Sequence, residues 1–171
     1  DRLVFARSLP NDEHLARHRC ADLFLDTLPY AAHTTASDAL WTGLPVLTCL
    51  GETFAGRVGA SLLNAIQLPE LITTTAEGYE KLAIELAGDR ARLADIRARL
   101  ARHRLTTPLF DTAGLTRHLE AAYLAMMARL HAGLPPEHIA VKRSVAEIPS
   151  AVAKPKPALA VNSRATPDTT A

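Results

Sequence analysis

The sequence predicts an α/β fold built from parallel βαβ units, and three observations carry that expectation. Residues 22–27 (DLFLDT) and 45–50 (PVLTCL) are short apolar runs of the kind that form strands buried on both faces. Between them Thr34 and Thr35 favour a helix N-cap, residues 36–41 continue with good helix formers, and Gly43 and Pro45 stop the helix. With 171 residues, 48% of them hydrophobic, the chain is long enough for one domain with a real core.

The remaining elements follow in order. Residues 3–6 make a first short strand, and SLPND is a turn in which Asn11 or Asp12 caps a helix running to about Arg19. His14 and Arg17 lie one turn apart on that helix and share a face, which looks toward the same edge as His33. After the 22–51 unit, GETFAG is a loop with two glycines, followed by a small-residue helix over 57–66 and a short strand, LPELIT. Residues 76–87 form an amphipathic helix with Tyr79, Leu82, Ala83 and Leu86 on one stripe. Residues 89–103 form a second, Arg-rich helix carrying Leu93, Ile96 and Leu100. The segment 107–110 bends the chain before Asp111 or Thr112 caps a long helix reaching about His131, whose stripe of Leu115, Leu119, Ala122, Tyr123 and Met126 is expected to cover a groove on a neighbouring element. Gly133, Pro135 and Pro136 end it. From about Lys142 the composition turns to Ala, Pro, Ser, Thr and Lys without periodicity, so the domain division expected is a folded 1–140 and a Pro/Ala-rich, disordered tail over 141–171. No internal repeat of solenoid period is present.

Composition excludes several classes of function. Nineteen basic against 18 acidic residues leave no footprint for nucleic acid or an anionic membrane. Arg90, Arg92, Arg97, Arg99, Arg102 and Arg104 have no aromatics between them and read as a solvated face. Two cysteines, Cys20 and Cys49, are too few for a disulfide framework and suit buried or inert thiols of a cytoplasmic protein. No apolar run approaches the roughly 20 residues that span a bilayer, and no signal-peptide pattern opens the chain. The start at Asp1, without Met and directly before LVFARS, reads as a cut through a larger protein.

In βαβ units ligands sit beyond the carboxyl ends of the strands, where the next helix presents unpaired N–H groups and the positive end of its dipole. His33, Thr34 and Thr35 fall at that point, although the two threonines equally suit a plain helix cap. His14 and His18 stand at i, i+4, a spacing that can hold a metal but supplies only two ligands. Glu52 in the GET loop fits an organiser of the site or an ordinary loop acid, and Trp41, Met126 and Met127 read as core. On these residues alone, a non-catalytic phosphate-ligand module and a protein-interaction domain both remain open.

HTTASDALWTGLPVLTCLGETFAGRVGASLL, residues 33–63, strongly resembles the C-terminal catalytic lobe of bacterial-type O-GlcNAc transferases, a family with Spindly-like relatives. DLFLDT, the GET segment with Arg57-Val58, the ELI run with Tyr79-Glu80, Pro108-Leu109-Phe110 and Leu119-Glu120…Tyr123-Leu124 follow in the family's order, so the resemblance covers about residues 3–140. It implies a Rossmann-like parallel sheet flanked by helices, the partial C-terminal lobe of a two-lobe GT-B glycosyltransferase. It further implies transfer of GlcNAc from UDP-GlcNAc, with inversion, to Ser or Thr hydroxyls of a protein acceptor. The family's tetratricopeptide repeats and N-terminal lobe would be partners supplied from outside this sequence, and the fragment alone would be inactive.

Residue by residue, His33, Thr34 and Thr35 match the family's diphosphate-binding run, with His33 a possible leaving-group stabiliser. Asp38 matches its ribose-contacting acid, Arg17 and the main chain of Leu9 match positions that address uracil, and His14 matches a histidine near the donor sugar. Asn11 stands where animal relatives have a lysine beside the nucleotide, and Tyr30 replaces a loop cysteine near the diphosphate. Those departures open other donors, GDP-fucose or UDP-glucose. Asp22 and Asp26 flank a strand without forming the Asp-x-Asp of metal-dependent transferases, so neither a metal nor a cofactor is expected. No general base is assigned within this chain.

Overall fold

The computed structural model describes residues 2–141, so the tail expected over 141–171 lies outside the described residues except for Val141. Its centre is a parallel sheet of three short strands in the order β1-β2-β3, with β1 at Phe24–Leu25, β2 at Val46–Cys49 and β3 at Ile72–Thr73. Phe24 and Leu25 pair with Val46 and Leu47, and Thr48 and Cys49 pair with Ile72 and Thr73. All four residues of β2 are buried, which is why PVLTCL carries no polar alternation beyond one threonine.

Helix α2, Thr34–Thr42, connects β1 to β2, and α3, Phe54–Ala65, connects β2 to β3. The N-cap of α2 is His33 rather than a threonine: Thr34 and Thr35 stand inside the first turn, and no side chain caps the helix. Gly43 closes α2 at φ 91°, a left-handed conformation that glycine adopts without steric cost, with hydrogen bonds from Gly43 and Leu44 back to Leu40 and Ala39. Helix α3 begins three residues earlier than expected from the sequence, because Thr53 Oγ1 accepts from the Gly56 N–H at 3.1 Å and so caps it. Most of LPELIT is not strand: Pro69–Leu71 is a 3-10 turn, since a proline cannot donate to a ladder, and only two residues remain to pair.

Before β1, α1 spans Asn11–Arg17 and runs into a 3-10 turn at His18–Cys20. Neither Asn11 nor Asp12 caps α1; Pro10 occupies the N-cap and its carbonyl accepts from the His14 N–H. Residues 3–6 are not a strand. They run irregular and exposed, with Phe5 92% accessible, because no strand among the described residues lies beside them to take their backbone groups. After β3, α4 spans Ala76–Gly88, α5 spans Arg90–Thr106 and α6 spans Thr112–His131, with Thr75, Asp89 and Asp111 as their caps. A 3-10 turn at Pro108–Phe110 makes the bend before α6.

The core joins Leu40 of α2, Val46 of β2, Leu63 of α3, Leu86 of α4 and Ile96 and Leu100 of α5, with Leu68 and Leu71 from the turn before β3. The Arg-rich face of α5 is only partly solvated. Arg97 reaches the Ala21 carbonyl and Asp22, Arg99 pairs with Glu70 and Asp95, and Arg104 donates to the Trp41 carbonyl with its guanidinium 5.5 Å from the Trp41 ring centre. These arginines fasten α5 to the segment before β1, the turn before β3, and α2, a role that periodicity alone does not reveal. Trp41 is half-exposed against the edge of Phe110 and is not core, and Met126 and Met127 are likewise exposed. Helix α6 buries only Gly114, so its expected apolar stripe stands uncovered among the described residues. Cys49 is buried and Cys20 is exposed, and both are free thiols. No helix among the described residues is long and apolar enough to cross a membrane.

Truncating the fully buried Leu63 to Ala is expected to cost about 2–5 kcal/mol of unfolding free energy in urea titrations. The equivalent change at exposed Leu124 should stay within roughly 0.5 kcal/mol.

Candidate functional site

At the carboxyl end of β1 the chain places a buried acid. Asp26 is 4% exposed, and burying a carboxylate is tolerable only when hydrogen bonds replace its water. Its Oδ1 accepts from the N–H groups of Thr27 (2.8 Å) and Ala32 (2.6 Å), and its Oδ2 accepts from Thr48 Oγ1 at 2.6 Å. The Asp26 N–H donates to the Leu47 carbonyl at 3.0 Å, and the Asp26 carbonyl accepts from the Tyr79 hydroxyl at 2.8 Å. Burial, reinforced by Asp26 and Cys49, pushes the Tyr79 phenol above its ordinary value near 10, so it stays a donor at neutral pH. Helix α3 passes close by: a Cβ at Gly59 would stand 2.6 Å from Asp26 Oδ2 and 2.8 Å from Thr48 Oγ1, so only glycine fits.

From this anchor the loop 27–33 folds over the strand end. Thr27 Oγ1 donates to the Tyr30 carbonyl at 2.7 Å, and the N–H of buried Ala31 donates to the Ala55 carbonyl in α3. The loop delivers Tyr30 and His33 side by side, their rings stacked at 5.1 Å and 19°. Phe54 meets His33 edge-on at 6.1 Å, and Tyr30 and Phe54 are themselves 65% and 75% exposed. His33 Nε2 lies 3.3 Å from the Ala55 carbonyl; a carbonyl only accepts, so this contact places the ring hydrogen on Nε2. His33 then heads α2, with Thr34 and Thr35 exposed in its first turn. The first N–H groups of a helix have no partner within it, and no side chain here takes them. Unpaired N–H groups, the dipole's positive end, two hydroxyls and an imidazole at one point suit an anion.

A second group comes from α1, which packs on α2. Arg17 donates to the Arg7 carbonyl and to His14 Nδ1, each at 2.9 Å; a guanidinium cannot accept, so His14 is the acceptor at Nδ1. The rings of His14 and His18 meet edge-on at 5.0 Å. Partial burial lowers the His18 pKa below its ordinary 6.5, as do His14 and Arg17, while Asp38 opposes them. Asp38 therefore faces His18 electrostatically from α2, one turn beyond Thr34.

The structure thus brings together Tyr30, His33, Thr34 and Thr35 in one group, and His14, Arg17 and, through His18, Asp38 in another. Leu9 lies exposed on the approach to α1, which Arg17 ties to the helix at the Arg7 carbonyl, and Asn11 is exposed as the first residue of α1. The Glu52 side chain makes no hydrogen bond or ion pair among the described residues, and its backbone carbonyl accepts from Arg57. The sequence points to Asp26 only as a strand-flanking acid and to Tyr79 only as part of a helix stripe, and it singles out neither Thr48 nor Gly59. The available signals were an acid closing an apolar run and a hydroxyl inside a buried strand. Among the described residues no three His, Cys, Asp or Glu side chains are grouped to hold a metal ion. An open hollow of about 450 Å³ lined by Asp22, Leu23, Arg90, Leu93 and Arg97 lies at the amino end of β1, away from this site.

A profile of glycosyl transferase family 41 matches residues 1–119. A UDP-N-acetylglucosamine–peptide N-acetylglucosaminyltransferase of Caenorhabditis elegans is 37% identical over 81% of this chain and 12% of its own length. A probable enzyme of the same name, SEC, from Arabidopsis thaliana is 36% identical over 87% of this chain and 15% of its own. Among solved structures, a mutant O-GlcNAc transferase of Thermobaculum terrenum is similar at a TM-score of 0.65 and 40% identity, over 69% of this chain and 23% of that one. The chain spans about an eighth of the length of these curated relatives.

Gly59→Ala is expected to destabilise the fold by roughly 1–3 kcal/mol through overpacking, and Tyr79→Phe by about 1 kcal/mol through loss of one hydrogen bond, both read by denaturant titration. Because the folded state holds the His18 proton less tightly than the unfolded chain does, the unfolded state gains protons first as pH falls through about 6.5. Stability should therefore be fully present above that pH and decline below it in thermal melts, with a shallower decline in His18→Gln.

Proposed function

The chain belongs to glycosyl transferase family 41, and on that premise we propose that it supplies the nucleotide-sugar half-site of an O-GlcNAc transferase. The observation that carries this reading is the start of α2: His33, Thr34 and Thr35, with uncapped N–H groups, at the carboxyl end of a parallel strand. In this reading the diphosphate of UDP-GlcNAc sits against those three residues. Asp38 takes the ribose hydroxyls, Asn11 lies beside them, and Arg17 and the main chain of Leu9 address uracil. His14 and Tyr30 flank the diphosphate and donor sugar.

The chemistry follows from where charge develops. As the glycosidic bond to phosphate breaks, negative charge grows on the departing oxygen, and donors aimed there stabilise the transition state more than the ground state. Helix N–H groups, threonine hydroxyls and imidazole can provide that stabilisation, so the reading calls for no metal or cofactor. The acceptor Ser or Thr, the general base and an opposing lobe of a GT-B arrangement come from outside these residues, as do tetratricopeptide repeats in the parent protein. Attack from the opposite face inverts the anomeric centre, and the expected compartment is cytoplasmic. Tyr30, large and exposed at the site, favours a second donor reading within the family, a sugar nucleotide other than UDP-GlcNAc; a panel of nucleotide sugars separates the two.

Calorimetry on the full chain is expected to detect UDP binding, weakened at least about tenfold, or roughly 1.4 kcal/mol, by His33→Ala and by Asp38→Ala. Unchanged affinity in both variants overturns the assignment of the site. A thermal shift with UDP but none with ADP, NAD or phosphate supports the transferase, whereas no response to any nucleotide favours an interaction module.

A further inference from the structure

We propose that Asp26 is the positioning residue of the phosphate-facing loop, setting nucleotide affinity without touching the nucleotide. The proposal rests on the nucleotide half-site described above and adds the group that shapes it. Both carboxylate oxygens are consumed inside the protein: one by the two loop N–H groups of Thr27 and Ala32, the other by the hydroxyl of Thr48. Thr27 and Ala32 bracket the segment that carries Tyr30, and Ala32 immediately precedes the N-cap His33. The carboxylate therefore pins the far end of the loop to the strand end from which it departs. Thr48 ties the same carboxylate to the central strand, and α3 packs so close at Gly59 that a side chain there would collide with both groups.

A carboxylate suits this place because every neighbour on it is a donor. Alanine would leave three donors unmatched in a buried site and free the loop. Asparagine retains much of the arrangement: its Oδ1 can accept both backbone N–H groups, while its Nδ2 donates to Thr48 Oγ1. A residue that merely supports the fold would not distinguish these substitutions by ligand affinity once stability is matched.

The test compares Asp26→Ala, Asp26→Asn, Thr48→Val and the core control Leu63→Ala in the full chain, each at a temperature where its far-UV circular dichroism is native. UDP affinity by calorimetry is expected to fall at least about tenfold in Asp26→Ala, to return to within roughly threefold of the parent in Asp26→Asn, and to stay within about twofold in Leu63→Ala. Amide exchange without ligand should quicken at Thr27 and Ala32 in Asp26→Ala, and at Ala32 in Thr48→Val, while Leu68 in the core keeps its protection. If Asp26→Ala does not fold, Thr48→Val and Asp26→Asn carry the comparison. Equal loss of affinity in Leu63→Ala, or loop exchange unchanged in Asp26→Ala and Thr48→Val, overturns the proposal. Absence of UDP binding by the parent chain defeats the half-site reading instead, and the exchange measurement still decides whether Asp26 holds the loop.

Discussion

The buried carboxylate of Asp26 is the constraint on which the carboxyl edge of the sheet depends. A negative group at that depth has no water to solvate it, so the chain must bring donors to it, and those it brings belong to separate parts of the fold: the loop that follows β1, and the middle of β2. Tyr79, from α4, joins through the backbone carbonyl of the same residue. Satisfying one acid thereby fixes the relation between a strand end, its neighbour and the entry to α2, while the backbone of the same residue holds α4. A small apolar residue at position 26 would keep the backbone bonds to Leu47 and Tyr79 but lose those that tie the loop and Thr48 to the strand end.

The start of α2 is organised in the opposite sense. Where Thr53, Thr75, Asp89 and Asp111 each cap a helix with their own side chain, the N-terminus of α2 is left without a side-chain cap. Helix ends in proteins are ordinarily satisfied by caps, water or ligands. Of the six α-helices among the described residues, four carry side-chain caps and two, α1 and α2, do not; of those two, α2 is the one that starts just beyond the carboxyl end of a strand of the parallel sheet. Geometry alone specifies an anion there; under the proposed function that anion is the diphosphate of the donor.

Much of the fold was legible because periodicity reports burial. The apolar run 45–50 became a fully buried strand, and the 3.6-residue spacing of Leu93, Ile96 and Leu100 became a helix with those three residues inward. Where the sequence reading failed, the deciding term was a neighbour. Residues 3–6 have the composition of a strand but no strand beside them, and the stripe on α6 has the spacing of a packed face but nothing among the described residues upon it. The arginines of α5 looked solvated since no local pattern encodes that Ala21, Glu70 and Trp41, far away in sequence, lie within their reach.

The same division runs through the site. As candidates, His33, Thr34 and Thr35 are legible in the sequence because strand, loop and helix start are local signals, and Asp38 is legible through the family's contiguous motif. The sequence could not place His33 as the cap with both threonines inside the helix, nor stack Tyr30 on its ring, nor turn Asp26 inward to Thr48, since each depends on the backbone path of a loop closed by contacts 6 to 53 residues apart. Local chemistry determined which residues could serve an anion. Only tertiary structure decided which of them share a face, because hydrogen bonds between distant segments, not propensities along the chain, set the loop that carries them.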